Sequence, residues 1–160
     1  AEPVPVVVGA LGPRMSRLAA ERTQGVHPYF TPVSHTAATR ELIGRGTFLA
    51  PEQMVIVTDD IAVARARAVR TARTYTRMEN YRRMLRSQGL DDDDMDSFSE
   101  AFFKAIFAWG DADACAARVA EHLAAGADHV CVQILGADDS TFPHAEWQQI
   151  GPALNDLAAR

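Results

Sequence analysis

Short runs of apolar, often β-branched residues recur along the chain, and each is followed by a segment whose apolar positions repeat at helical spacing. The first run is residues 4–8, opened by Pro3 and Pro5 and closed by Gly9; it predicts a strand buried on both faces. Leu11-Gly12-Pro13 then makes a turn, and Pro13 suits the first position of a helix. Met15, Leu18 and Ala19 take core spacing on that helix, which ends near Gly25. Residues 25–29 predict a second strand, Pro32, Ser34 and Thr36 mark a loop and cap, and a short helix runs to Gly44. A third strand is predicted at residues 54–58, after the turn Pro51-Glu52. Asp59 and Asp60 are good caps for a helix over residues 61–88, with room for one break near Thr76. Gly89 and the acidic run 91–94 end it. Residues 98–109 show another helical pattern, Asp111 caps a helix through Ala124 that stops at Gly126, residues 129–134 predict a fourth strand, and residues 146–159 a last helix.

Strands alternating with helices imply a parallel sheet. The stretch between the third and fourth strands far exceeds the dozen or so residues that a crossover needs, so residues 60–110 are expected to form a helical insertion. An echo supports repeated units: Leu18-Ala19-Ala20-Glu21 before Gly25-Val26-His27 is matched by Leu123-Ala124-Ala125-Gly126 before Asp128-His129-Val130. The pattern alone leaves two architectures open, a doubly wound open sheet and a piece of a barrel.

Composition narrows the class. The 160 residues are 48% hydrophobic and 23% charged, as in a globular domain able to bury a core. A net charge of -5 gives no reason to expect nucleic acid or an acidic membrane as partner. No apolar run is long enough to span a bilayer, and no basic segment followed by an apolar stretch opens the chain, so a cytoplasmic protein is expected. Cys115 and Cys131 have neither metal nor redox spacing and read as free thiols.

Candidate chemistry centres on the turn 9–14. A strand ends there, Gly9 and Gly12 let a ligand approach the backbone, and free N–H groups at a helix start favour a phosphate. A plain strand-to-helix turn is the competing reading. His27 and Tyr29 lie at the end of the second strand, where His27 serves as acid, base or donor if it is not simply a core histidine. The helix over 61–88 carries Arg65, Arg67, Arg70, Arg73, Arg77, Arg82, Arg83 and Arg86. Their scatter around the helix favours solvated side chains or pairs with Asp91 to Asp94 over a basic wall, while Tyr75, Met78 and Leu85 mark the packed face. Gln133 is placed to point into a barrel mouth. The five histidines show no paired ligand spacing, and neither a nucleophile elbow nor a P-loop is present, so no metal is expected.

The segment Pro5-Val6-Val7-Val8-Gly9-Ala10-Leu11-Gly12-Pro13-Arg14-Met15, followed by Leu18-Ala19 and Gly25-Val26, resembles the fifth strand and following helix of the luciferase-like monooxygenase superfamily. Pro51-Glu52, Asn80-Tyr81 with Gly89-Leu90, and Trp109-Gly110-Asp111 with Gly126-Ala127-Asp128-His129-Val130 extend the likeness over almost the whole chain, and it is greatest to the deazaflavin branch. The resemblance implies an α/β fold, the C-terminal half of a (β/α)8 TIM barrel: one partial domain over 1–160 carrying barrel strands five to eight, four parallel strands with the insertion before the last. It implies coenzyme F-420 (8-hydroxy-5-deazaflavin), with FMN as the alternative, held by Ala10, Leu11, Gly12, Arg14 and Met15. His27 and Tyr29 then face the substrate side. The implied activity of the full-length protein is hydride transfer to or from a small organic substrate. The family's acid/base residues lie mainly in the other half, so no catalytic residue is assigned and this chain alone is expected to be inactive. The alternative within the same resemblance is a non-catalytic flavin-binding or structural half-barrel; a homodimer is expected in either case.

Overall fold

A computed structural model describes residues 4–158. The chain runs β1 (Val7–Gly9), α1 (Pro13–Arg22), β2 (Gly25–His27), α2 (Val33–Ile43), β3 (Phe48–Leu49), β4 (Glu52–Val57), α3 (Ile61–Tyr75), α4 (Glu79–Ser87), α5 (Asp92–Ser97), α6 (Glu100–Ile106), β5 (Phe107–Gly110), α7 (Ala112–Ala124), β6 (Cys131–Ile134) and α8 (His144–Ala158). The expected helix end at Ala159 lies outside the described residues. The named strands pair in parallel, in the orders β1-β2-β3 and β5-β4-β6. An α/β fold of alternating parallel strands and helices is therefore present, and among the described residues no closed barrel forms.

Hydrogen bonds join the two sheets. Ala50 N donates to Val26 O at 3.0 Å and Glu52 N to Pro28 O at 2.9 Å, which carries the β2–β3 ladder into β4. On the other side, Asp128 N donates to Leu49 O and Cys131 N to Pro51 O, both at 2.9 Å. β3 and β4 thus act as two parts of one long strand. β2 flanks its first part, and β5 takes over that flank beyond Pro28.

Three expectations need correction. Among the described residues six strands form rather than four, since Phe48–Leu49 and Phe107–Gly110 are extended as well. Residues 98–109 are not one helix: Phe98 caps α5 in the left-handed region at φ 51°, and α6 stops at Ile106, where Phe107, Ala108 and Trp109 turn extended to register with Met54, Val55 and Ile56. Bulky aromatic residues fit a pleated surface well, and the open flank of β4 decides their state. The strand predicted at 4–8 is also not buried on both faces, since Val4, Val6 and Val7 are exposed. β1 is an edge strand, and no described element covers its inner side.

Several local signals act as read, but of the residues expected at core spacing on α1 only Ala19 is buried, and Met15 and Leu18 are exposed. Pro13 opens α1, Asp60 caps α3 by accepting from Ala62 N and Val63 N, and Asp111 caps α7. The long helix breaks at Thr76, which caps α3. Thr36 is no cap but a buried residue inside α2, and Asp91 opens α5 with a capping box instead of only ending the helix before it.

Alternation along β4 sets the core. Met54 and Ile56 face α3 to α6 with Phe30, Phe102 and Phe107, whereas Val55 faces the opposite layer with Cys115, Ile134 and Ile150. Each fully buried phenylalanine contributes about 1.5–3 kcal/mol relative to exposure. The insertion is thereby packed onto the sheet rather than standing off it.

Candidate functional site

A cavity of about 510 Å³ opens where β1 and β2 end. Gly9, Ala10, Leu11, Gly12, Pro13 and Met15 form one wall, and His27 and Tyr29 a second. The third comes from α4: Asn80, Tyr81, Arg83, Met84 and Ser87. Asn80, Arg83, Met84 and Ser87 are spaced so that they share one helix face. Of the residues expected to contact the cofactor or to face the substrate side, Arg14 alone is absent from this lining; it is exposed.

Small residues keep the turn open. Nothing lies within 4 Å of where a Cβ on Gly12 would sit. Gly12 is the N-cap of α1, with no side-chain cap, and Gly12 O accepts from Ser16 N at 3.0 Å. Pro13 has no N–H, and the N–H groups of Arg14 and Met15 have no partner within the helix. The turn therefore offers backbone donors and the positive end of a helix dipole.

His27 Nδ1 lies 2.6 Å from Ala50 O. A carbonyl only accepts, so Nδ1 carries a hydrogen, and Nε2 has no partner among the described residues. Tyr29 donates to Gln133 Oε1 at 2.6 Å and accepts from Tyr75 at 3.1 Å. Burial first, then the Tyr75 hydrogen bond, raises the Tyr29 pKa, so its hydroxyl keeps its proton. Gln133 thus meets the site through Tyr29, as an orienting group.

Glu52 was not singled out by the sequence beyond its turn. It is 3% exposed; its Oε2 accepts from Phe30 N at 3.1 Å and its Oε1 has no partner. Burial pushes the carboxyl up to about 8, against the pull of the Phe30 N–H. Phe30 sits in the left-handed region at φ 57°, so Glu52 holds the bend that follows Tyr29. Phe30 then stacks on Tyr75, with centroids 4.5 Å apart, and ties that bend to the insertion.

A second unanticipated group lies behind the turn. His35 Nε2 is 2.8 Å from Leu11 O, and Thr39 Oγ1 is 3.3 Å from its Nδ1. Nearby, His122 bridges Thr36 Oγ1 at 2.8 Å and Gln53 Oε1 at 3.0 Å. Burial foremost, then the charge of Arg118, brings His122 down to about 4, so it is neutral. Nothing in the sequence spacing distinguishes these histidines from ordinary core residues.

The arginines follow the expectation only in part, since Asp92 pairs with two of them and others meet different partners. Arg82 pairs with Asp92 and Asp96, and Arg86 with Asp92 and Glu79. Arg67 meets Glu146 and Arg70 meets Asp139. Arg83 instead lines the cavity. Leu85 is fully buried and Tyr75 packs on the core, but Met78 is exposed rather than packed. Both cysteines are free thiols, Cys115 buried and Cys131 half-buried. Among the described residues no helix is long and apolar enough to cross a membrane.

A sequence model described as luciferase-like monooxygenase matches residues 1–129. No curated protein matches the sequence. An F-420-dependent secondary alcohol dehydrogenase, solved in complex with an F-420–acetone adduct, is similar at 15% identity with a TM-score of 0.64, over 96% of this chain and 49% of that one. The coenzyme F-420-dependent tetrahydromethanopterin reductase from Methanopyrus kandleri is similar at 17% identity with a TM-score of 0.61, over 96% of this chain and 51% of that one. The chain spans about half the length of these solved structures, and at such identities the likeness is one of fold.

Proposed function

The chain belongs to the luciferase-like monooxygenase family, and on that premise we propose that it supplies barrel strands five to eight of an oxidoreductase that moves a hydride between coenzyme F-420, or FMN, and a small organic substrate. The observation that carries this reading is the cavity, which gathers Ala10, Leu11, Gly12 and Met15 at a helix start and places His27 and Tyr29 beside them. The residues fit a phosphorylated flavin or deazaflavin: an uncapped helix N-terminus for the anion, and apolar walls from Leu11, Met15, Tyr81 and Met84. When bound, that group supplies the hydride-carrying ring.

The residues of this chain bind and orient. The N–H groups of Gly12, Arg14 and Met15 meet the phosphate, so Arg14 acts through its backbone. His27 Nε2 and the Tyr29 hydroxyl face the substrate side, the first as an acceptor and the second as a hydroxyl held protonated by burial. No catalytic residue is assigned here, because hydride transfer also needs groups from the complementary half of the barrel.

Titration of the purified chain with coenzyme F-420 and with FMN, followed by fluorescence quenching, tests the reading. Saturable binding that Gly12→Asp weakens supports it; a folded chain that saturates with neither cofactor refutes it.

A second reading rests on the β1–β3 sheet. Val7 and Phe48, each 41% exposed, register on either side of Gly25 and share its face. That bare face suits a second copy of the chain, giving a homodimeric, non-catalytic half-barrel.

A further inference from the structure

We infer that His35 is a positioning residue that fixes the Leu11–Gly12 peptide so that the Gly12 N–H is presented to a phosphate in the cavity. The inference rests on the reading above, that an anionic cofactor occupies this turn.

His35 belongs to α2, is 4% exposed and does not line the cavity. Its Nε2 lies 2.8 Å from Leu11 O. Because the carbonyl only accepts, Nε2 carries the hydrogen, and Nδ1 is left to accept from Thr39 Oγ1 at 3.3 Å. Both ring nitrogens are engaged, and burial lowers the pKa, so the ring stays neutral and in one tautomer.

The consequence follows from the planarity of the peptide. In a trans peptide the C=O of one residue and the N–H of the next point in opposite directions. Leu11 O is turned toward buried His35, so the Gly12 N–H points the other way. Leu11 and Gly12 both line the cavity. Among the described residues that N–H has no acceptor.

An anchor is needed because residue 12 is glycine. Without a Cβ it crosses backbone regions at little cost. A flip of the Leu11–Gly12 peptide would replace a donor with a carbonyl oxygen, which repels a phosphate. A histidine that merely satisfied the core would serve with any acceptor; this one holds the peptide between two residues of the cavity wall.

The test compares FMN with riboflavin, which differ by the phosphate, on wild type, His35→Ala and His35→Gln. A hydrogen bond to a charged group is worth enough that His35→Ala is expected to lower the ratio of FMN to riboflavin affinity by about tenfold or more. Riboflavin affinity should change little, and His35→Gln, which retains a donor, should recover much of the ratio. The ¹³C shift of the Leu11 carbonyl, read without ligand, reports the anchor by itself. Wild type that shows the anchored carbonyl yet binds neither flavin nor coenzyme F-420 refutes the function proposed above and leaves His35 no phosphate to position. A folded His35→Ala that loses the anchored shift but keeps the affinity ratio overturns the positioning role alone, as does an equal loss for both flavins. Should His35→Ala not fold, Thr39→Val removes only the second tether of the ring; an unchanged ratio in that folded variant would overturn the inference.

Discussion

Glu52→Gln should stabilise the protein at neutral and mildly alkaline pH by removing a proton that folding must take up. The ordinary carboxyl value of 4.5 rises to about 8 in the folded chain. Between those values the unfolded chain carries the ionised side chain and the folded chain the neutral one. Glu52 therefore contributes fully below 4.5, and its contribution is lost as pH rises toward 8, at about 1.4 kcal/mol per pH unit. At pH 7 the loss amounts to about 3 kcal/mol. Glutamine keeps an oxygen for Phe30 N–H, so the bend after Tyr29 is retained. His35 and His122 act in the opposite sense: their lowered values make stability grow as pH climbs toward 6.5. The wild-type curve mixes these trends, so the informative quantity is the mutant minus wild-type difference from urea unfolding at pH 5 to 8. It should widen steadily with pH in favour of glutamine. A difference that stays constant over that range would mean that Glu52 is ionised in the folded protein and that the argument from burial is wrong.

Gly12→Asp should weaken FMN binding without harming the fold: there is open space for the new side chain, and Asp is a better N-cap than Gly, so the urea midpoint should hold or rise while fluorescence titration shows lost affinity. Gly25→Ala should destabilise by about 1–3 kcal/mol, because the added methyl would meet Phe48 O at 2.4 Å; chemical denaturation reads this directly. In sedimentation the chain should associate through the β1–β3 face, and Val7→Glu with Phe48→Glu should reduce the association; an unaltered monomer in both cases would remove the case for a homodimer.

Much of the fold could be read from local chemistry. The apolar runs located β1, β2, β4 and β6, and proline and aspartate located the starts of α1, α3 and α7, because caps and buried parallel strands depend on neighbouring residues. β5 could not be read this way. Its Phe107-Ala108-Trp109 suits a helix or a strand equally, and the choice falls to the free flank of β4, whose register partners are 53 residues away in sequence but adjacent in space. The exposure of β1 escaped for the same reason, since a valine run looks alike whether or not anything covers it. The glycine turn was legible as a candidate site, and it does line the cavity, but its supports were not legible. His35, Glu52 and the cavity face of α4 act through partners distant in sequence, and only Arg83 among the arginines of the insertion reaches the cavity.

The insertion leaves the sheet after β4 and returns on β5, the strand beside it, where Thr58 N donates to Gly110 O at 2.9 Å. Its two ends are therefore neighbours, and a segment closed in this way behaves as a cassette. Lengthening it costs little, because loop closure grows only with the logarithm of length. One wall of the cavity, the α4 face, is written entirely within that cassette, while the glycine turn and His27 are written outside it. The α4 wall of the cavity can thus be rewritten by exchanging a single contiguous stretch of sequence, with the glycine turn left as it is.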